Sequence, residues 1–250
     1  MTKPPFINGE IYHIYNRGVD KRDIFLEDKD YLRFIHDLFE FNDTEPAPAA
    51  NVRFLLRKPS ELTAPSLFQC LEVQPPNIGK ERRKRKLLVE ILAFCLMPNH
   101  YHLLLRQKTE NGIVQFMQKI GTGYTMYFNQ KNPKNKRVGA LFQGRFKAVA
   151  LRQEGHFLSL PNYIHLNPLD ISSYEWRERK IKDSKQALDF LENYRWSSFM
   201  DYIGKKNFPS VTQREFLLEI LGEPRKYKKD IRNWLAEMDT NSIESALLLE

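Results

Sequence analysis

Two histidines separated by one residue form the first motif with the chemistry of a metal site. His100 and His102 fall in a predicted strand over residues 100–106. Alternate residues of a strand share a face, so the two imidazoles lie about 6.5–7 Å apart on one side, where they can chelate a divalent cation. Tyr101 and Leu103 then point to the opposite face. The same spacing also fits two ordinary surface histidines, so this motif alone does not establish a metal site.

A tyrosine and an asparagine four residues apart form the second motif. Tyr163 and Asn167 share one face of a predicted helix over residues 155–167. An amide oxygen suits Mg²⁺ or Mn²⁺. A phenol with a pKa of about 10 is a poor nucleophile at neutral pH, but a metal on the scissile phosphate polarises the phosphorus and helps deprotonate the phenol. Taken alone, Tyr163 is better interpreted as a core aromatic residue of an amphipathic helix.

Together, the two motifs supply what metal-assisted attack on a phosphodiester requires. The product would be a 5′-phosphotyrosine and a free 3′-hydroxyl, and the retained phosphoester energy would let rejoining proceed without ATP. Tyr124 and Tyr127 compete for the nucleophile role, but neither is followed four residues later by a suitable ligand. His165 should face away from the site. His13 could line the site, although a packed strand histidine is the favoured interpretation.

The positive charge of the chain is concentrated in its first two thirds. The sequence has 39 Lys and Arg against 31 Asp and Glu, a net charge of +8, and the residues beyond 170 balance to zero. The excess is greatest in residues 79–86 and 131–152. A basic surface attracts polyanions, and aromatic residues between the charges suit single-stranded nucleic acid. The predicted phosphate contacts are Arg17, Lys21, Arg22, Arg82, Arg83, Arg85, Arg145 and Lys147.

The elements that must position these residues follow a β-α-β-β-α-β order. Predicted strands cover residues 10–16, 87–96 and 100–106, with a hairpin-like strand pair over 138–151, and helices cover residues 28–42, 111–130 and 155–167. Asp28 or Asp30 could cap the first helix. This order predicts an α+β, ferredoxin-like split βαβ sandwich, with helices on one face of an antiparallel sheet and the other face open. Residues 171–250 should form a helical C-terminal extension to a catalytic domain of residues 1–170. A basic, Pro-rich stretch of about residues 43–86 reads as a surface insertion.

Composition excludes several classes of protein. A chain of 250 residues with 42% hydrophobic residues and 12% aromatic residues can bury a core, which excludes wholesale disorder. No stretch approaches the roughly 20 apolar residues of a membrane span, and the first residues lack the apolar core of a signal peptide. Cys70 and Cys95 form neither a disulfide framework nor a CxxC metal site. We therefore expect a cytoplasmic protein.

Several motifs in this order resemble one family, the HUH-class tyrosine transposases of the small single-strand insertion sequences, and especially the REP-associated tyrosine transposases. The matching stretches are YHIYNRGVD (12–20), CLMPNHYHLLL (95–105), YTMYFN (124–129), GALFQGRFK (139–147), YIHLNP (163–168) and YRWSSFMDY (194–202). The resemblance covers about residues 8–204. The 43–86 insertion is longer than the family pattern leads us to expect.

The resemblance implies a ferredoxin-like core, a Mg²⁺ or Mn²⁺ cofactor, and cleavage and rejoining of single-stranded DNA beside a hairpin. Carried over by motif position, His100 and His102 are metal ligands, Tyr163 is the nucleophile, and Asn167 stands where the family has an Asn or Gln ligand. Relatives include swapped dimers, but the long tail favours a monomer acting in cis.

Two other functions are compatible with parts of the pattern. A non-catalytic binder of single-stranded nucleic acid could use the same open sheet, as RRM-type modules do, but would need neither motif. A zinc hydrolase could use His100 and His102, but would require a third His, Asp or Glu and no nucleophilic tyrosine.

Overall fold

The computed structural model describes residues 6–45, 85–131, 139–152, 154–172, 176–178, 181 and 183–236. Most of the predicted insertion, including Arg82 and Arg83, lies outside these residues.

A four-stranded antiparallel sheet forms the centre of the described chain. Its strands are β1 (Ile11–Arg17), β2 (Val89–Met97), β3 (His100–Gln107) and β4 (Lys147–Ala150), in the order β2-β3-β1-β4. Every pairing is antiparallel, and Pro98 and Asn99 make the turn between β2 and β3. Helices α1 (Asp28–Glu40) and α2 (Gly112–Lys131) follow β1 and β3. This is the predicted ferredoxin-like α+β fold.

The first face of the sheet is covered by α1 and α2. Alternation along β1 and β3 sends Tyr12, Ile14, Tyr101, Leu103 and Leu105 into this core, together with apolar residues of both helices. The start of α1 differs from the prediction, because Glu27 takes the cap position and Asp30 is its capping-box partner. Both helices thus lie on the face expected from the β3 alternation.

The prediction of an open second face is wrong. Helix α3 (Glu154–Leu166) and the tail helices pack there, burying Ile11 of β1 and Ala93 and Cys95 of β2 with Leu104 of β3. The tail helices are α4 (Ser184–Asn193), α5 (Phe199–Tyr202), α6 (Glu215–Leu221) and α7 (Pro224–Ala236). Burying these apolar side chains removes a surface that would otherwise face water.

The tail also covers the outer edge of β2. The amide of Leu96 donates to Trp196 O at 2.9 Å, and the hydroxyl of Tyr202 donates to Leu92 O at 2.5 Å. An edge strand has unpaired backbone groups, and these bonds satisfy several of them. Trp196 is buried and stacks on Tyr31 of α1, which anchors the tail to the first-face core.

The predicted strand pair around Gly144 is only half present. Lys147–Ala150 forms β4, but the preceding segment makes a single bridge, between Phe142 and Gly18, rather than a strand. Gly144 has a φ of +88°, a conformation that favours glycine, and its carbonyl accepts a bond from Asn16. The described residues before β4 therefore form an irregular loop that holds Arg145 beside the end of β1.

None of the helices in the described part of the chain is long and apolar enough to cross a membrane.

Candidate active site

The two histidines of β3 lie on the second face of the sheet, as predicted. Their rings meet edge to face with centroids 4.9 Å apart. On the neighbouring strand Tyr15 lies opposite His102, and His13 and Tyr15 point to the same face. Strand pairing therefore brings a third imidazole, from His13, beside the pair.

Each histidine of the pair is bonded through Nδ1. His100 Nδ1 lies 2.6 Å from the side-chain oxygen of Asn99, and His102 Nδ1 lies 2.9 Å from Nε2 of His13. An amide oxygen only accepts, so Nδ1 of His100 is the donor, and in a neutral imidazole Nε2 then has the lone pair. Nε2 of His102 is buried and has no hydrogen-bond partner in the structure.

Burial keeps the inner imidazoles neutral. Loss of solvation lowers the pKa of His13 to about 3. It also lowers the pKa of His102 well below its ordinary value, with the neighbouring His100, His13 and Arg177 adding to the effect. Only a neutral imidazole can offer a lone pair to a cation, so this environment suits metal binding at physiological pH.

Tyr163 comes from α3 and lies directly over His102. Its ring contacts the His102 ring edge to face at 5.6 Å between centroids, and the His13 ring at 6.2 Å. The tyrosine is only 4% exposed. Its hydroxyl oxygen accepts bonds from both terminal nitrogens of Arg177, at 3.3 and 3.2 Å. The predicted nucleophile and the predicted metal ligand therefore belong to one cluster.

Asn167 is held by the end of the same helix. It is the first residue of a 3₁₀ turn (Asn167–Ile171), and its amide nitrogen donates to Tyr163 O at 2.9 Å. Its side-chain oxygen accepts a bond from Arg177 at 3.1 Å. An amide oxygen has two lone pairs, so one acceptor position remains beyond this bond.

Arg177 is the site residue that the sequence did not reveal. Asp170 accepts from it at 2.8 Å, and the guanidinium lies over the ring of Tyr163 at 5.0 Å. Burial lowers the pKa of Arg177, but the bond to Asp170 and the phenol of Tyr163 outweigh that effect, and its pKa is above the ordinary value. No motif or helical spacing links position 177 to Tyr163, so only the folded chain identifies it.

The competing histidine and tyrosines lie elsewhere. Tyr124 and Tyr127 are buried in the first-face core, where their hydroxyls donate to Ile24 O and to the carboxylate of Asp30. His165 is fully buried against the tail, bonded to Tyr227 and Ser198. The expectation that His165 faces away from the site is confirmed.

A cavity of about 460 Å³ opens above this cluster. Its lining is mostly polar and cationic, and includes Tyr15, Asn16, Arg17, Lys21, Asn99, His100, His102, Gln143, Arg145, Lys147, Asp170 and Arg177. Four of the predicted phosphate contacts are therefore brought together beside the histidines. Lys147 also lies over the ring of Tyr15, at 5.5 Å.

Two other predicted phosphate contacts are not part of this lining. Arg22 donates to Val19 O and pairs with Asp20. Arg85 donates to the carbonyls of Phe39 and Asn42, at the end of α1. Such bonds satisfy carbonyls that a helix end leaves unpaired.

The residues present fit a divalent cation. The described residues contain no cluster of three His, Cys, Asp or Glu side chains suited to a metal, which disfavours a structural zinc site. Two imidazoles and an amide oxygen are nevertheless a suitable donor set for Mg²⁺ or Mn²⁺. The unpartnered buried Nε2 of His102 supports this assignment, because a cation would satisfy it.

Comparison with known proteins agrees with the sequence motifs. The model of the family described as IS200-like transposases matches residues 80–167, which include β2, β3, α2 and α3. This stretch of the chain resembles an IS200-like transposase. The match supports the broader prediction of a DNA-processing transposase.

One solved structure also resembles the chain. It is described as a REP-associated tyrosine transposase bound to a REP hairpin, and has a TM-score of 0.47 and 13% sequence identity. The comparison covers 84% of this chain and 89% of that one. A comparison with curated proteins found no match.

Proposed function

We propose that the protein cleaves and rejoins single-stranded DNA beside a hairpin, through a covalent tyrosine intermediate. The observation that carries the proposal is the contact between the ring of Tyr163 and that of His102, which itself lines a basic cavity. The transposase match over residues 80–167 supports the same chemistry.

In the proposed cleavage step, the phenolic oxygen of Tyr163 attacks the scissile phosphorus. The phenol gives up its proton to solvent as the Tyr163–phosphate bond forms and the bond from phosphorus to the 3′-oxygen breaks. The departing oxygen takes up a proton from solvent to become a 3′-hydroxyl. Attack by a 3′-hydroxyl on the phosphotyrosine reverses these changes and rejoins the DNA without ATP.

The metal-binding role falls to His100, His102 and Asn167. When bound, Mg²⁺ or Mn²⁺ would act as a Lewis acid on the phosphate. Asn99 orients the imidazole of His100, and Asn167 also ties its own amide to the end of α3 beside Tyr163. These contacts hold the ligands near the nucleophile.

The proposed DNA contacts come from the cavity wall. Arg17, Lys21, Arg145 and Lys147 would bind phosphates, and Tyr15 offers an aromatic face near the opening. A hairpin with a flanking single strand is the partner that the proposal assigns. Because Tyr163 contacts His102 of its own chain, we propose a monomer acting in cis.

The test uses labelled single-stranded hairpin oligonucleotides from repeats that flank the gene, with Mn²⁺ or with EDTA. We expect an adduct that survives SDS, requires the metal and disappears in Tyr163→Phe. His100→Ala should also abolish the adduct while hairpin binding, measured by gel shift, stays within a few-fold. Tyr124→Phe is the matched control, since that tyrosine lies in the opposite core, and it should still form the adduct.

Three results would count against the proposal. An adduct that persists in Tyr163→Phe would exclude that residue as the nucleophile. An adduct that forms equally in EDTA would exclude the metal role. Tight hairpin binding with no adduct in the wild type would favour a non-catalytic binding protein.

A further inference from the structure

The bond between two buried histidines has a consequence beyond packing. His13 Nε2 lies 2.9 Å from His102 Nδ1, and the residues are only 1% and 2% exposed. A single hydrogen joins two neutral imidazoles, so one ring donates and the other accepts. The direction of this bond decides where His102 carries its proton.

The two directions have opposite effects on metal binding. If His13 donates, the proton of His102 is on Nε2, and that atom cannot bind a cation. If His102 donates, its Nε2 has a bare lone pair, and the proton of His13 is on its own Nδ1. Both His102 Nε2 and His13 Nδ1 are buried without partners, so each direction leaves one orphaned N–H and one orphaned lone pair.

We propose that His13 is a positioning residue that accepts the Nδ1 proton of His102 and so keeps the Nε2 lone pair directed at the metal. The inference rests on the proposed function, and it follows from the pairing of β1 with β3. A metal-ligating histidine is commonly held by an acceptor on its second nitrogen. His100 has the Asn99 oxygen for this purpose, and His13 is the equivalent partner for His102.

The environment of His13 allows it to accept. Its ring is buried, and its Nε2 lies within hydrogen-bond distance of His102 Nδ1, where a neutral imidazole can offer a lone pair. The two rings are nearly parallel, with an angle of 17° and centroids 5.1 Å apart. Tyr15 packs against both of them, with its ring centroid 5.0 Å from that of His13 and 6.0 Å from that of His102. His13 therefore cannot turn away without breaking these ring contacts.

The experiment compares wild type, His13→Phe and His13→Gln without DNA. Mn²⁺ affinity is measured by calorimetry, and the tautomer of His102 is read from ¹⁵N NMR in Mg²⁺. We expect His13→Phe, which has no acceptor, to weaken Mn²⁺ binding about 10–100-fold. His13→Gln keeps an acceptor oxygen and should recover most of this loss. In wild type with Mg²⁺, His102 should carry its proton on Nδ1.

The controls separate this inference from the proposed function. His100→Ala should abolish Mn²⁺ binding, and a wild type that does not bind Mn²⁺ would overturn both proposals. If His100→Ala loses Mn²⁺ but His13→Phe binds it as tightly as wild type, the role of His13 is overturned and the metal site stands. A His102 proton on Nε2 in Mg²⁺ would overturn it as well. The NMR result and His13→Gln keep the test decisive if His13→Phe does not fold.

Discussion

At the scale of single residues, Arg177 connects Tyr163, the proposed nucleophile, to its surroundings. Its guanidinium donates hydrogen bonds to the Tyr163 hydroxyl, to the side-chain oxygen of Asn167 and to the carboxylate of Asp170. A charged donor strengthens a hydrogen bond to an oxygen on which negative charge develops. In the proposed reaction the phenolic oxygen is the nucleophile during cleavage and the leaving group during rejoining, so the same contact would serve both steps.

Arg177→Gln should therefore slow adduct formation more than it weakens DNA binding. A hydrogen bond to a charged group contributes about 1.5–3 kcal/mol, which corresponds to a loss of roughly 10- to 150-fold in rate. The measurement is single-turnover adduct formation on a saturating hairpin oligonucleotide. Lys226→Gln removes a cation from an exposed pair on α7 and should react at the wild-type rate. An unchanged rate in Arg177→Gln would show that its contact with Tyr163 has no part in the chemistry.

Residue spacing was enough to predict part of this cluster. The two-residue period of a strand placed His100 and His102 on one face, and the four-residue period of a helix linked Tyr163 to Asn167. Arg177 could not be found this way, because its contacts depend on how a later segment folds back. His13 was interpreted mainly as a packed histidine; it is packed, but the register of β1 against β3 also bonds it to His102.

At the scale of elements, the tail holds α3 against the sheet. Ser198, the residue directly before α5, contacts both α3 and the sheet. Its hydroxyl lies 2.8 Å from His165 Nε2 on α3 and accepts from the Phe94 amide on β2 at 3.0 Å. One side chain of the tail therefore joins the helix that carries Tyr163 to the edge strand.

Ser198→Ala should destabilise the protein. It leaves the Phe94 amide and His165 Nε2 buried without this partner, and each such group costs about 1–3 kcal/mol. The free energy of unfolding, measured in urea, should fall by at least about 1 kcal/mol. Ser159→Ala is the control, because this partly exposed serine bonds only within α3, and its effect should be below about 0.5 kcal/mol. Equal effects of the two variants would contradict the role assigned to Ser198.

The elements were predicted better than their packing. Hydrophobic periodicity predicted β1, β2, β3 and the long helices to within a few residues, because those segments each bury one face or both. It did not predict that the second face is covered. The amphipathic pattern of the tail helices shows that each buries one face, but it does not identify the surface against which that face packs. Of the strand pair predicted over residues 138–151 only β4 formed, because the described residues before it bridge only once, at Phe142.

At the scale of the whole molecule, buried neutral histidines make stability depend on pH. Burial lowers the pKa of both His13 and His165 to about 3. In the unfolded chain a histidine titrates near 6.5, so below that pH the unfolded state binds more protons than the folded state. The contribution of these two histidines to the free energy of unfolding is therefore complete above about pH 6.5, and it is lost as the pH falls toward 3.

The free energy of unfolding should therefore decrease between pH 6.5 and 5. Each of the two histidines contributes a slope of at most about 1.4 kcal/mol per pH unit. Chemical denaturation at several pH values measures this slope. His165→Gln should have a shallower slope than wild type, whatever its stability at pH 8. A slope that is the same in both proteins would contradict the lowered pKa of His165.

The basic cavity gives a second prediction at this scale. Arg145 lies in its wall with Arg17, Lys21 and Lys147. Replacing one residue that contacts a phosphate weakens the binding of all DNA sequences. It also reduces the slope of log affinity against log salt concentration by about one. Arg145→Gln should therefore bind the hairpin more weakly, with a shallower plot of log affinity against log salt concentration. Lys226→Gln should match the wild type in hairpin affinity and in its salt dependence. If Arg145→Gln also matches the wild type in both quantities, the cavity is not the DNA site.

Mapping the attachment site tests whether Tyr163 forms a covalent bond with DNA. The adduct from the Mn²⁺ reaction is digested with protease and nuclease, and the modified peptide is sequenced by tandem mass spectrometry. We expect a nucleotide joined through its 5′-phosphate to Tyr163, in the peptide that also contains His165 and Asn167. A nucleotide on Tyr124, Tyr127 or any other residue would contradict it.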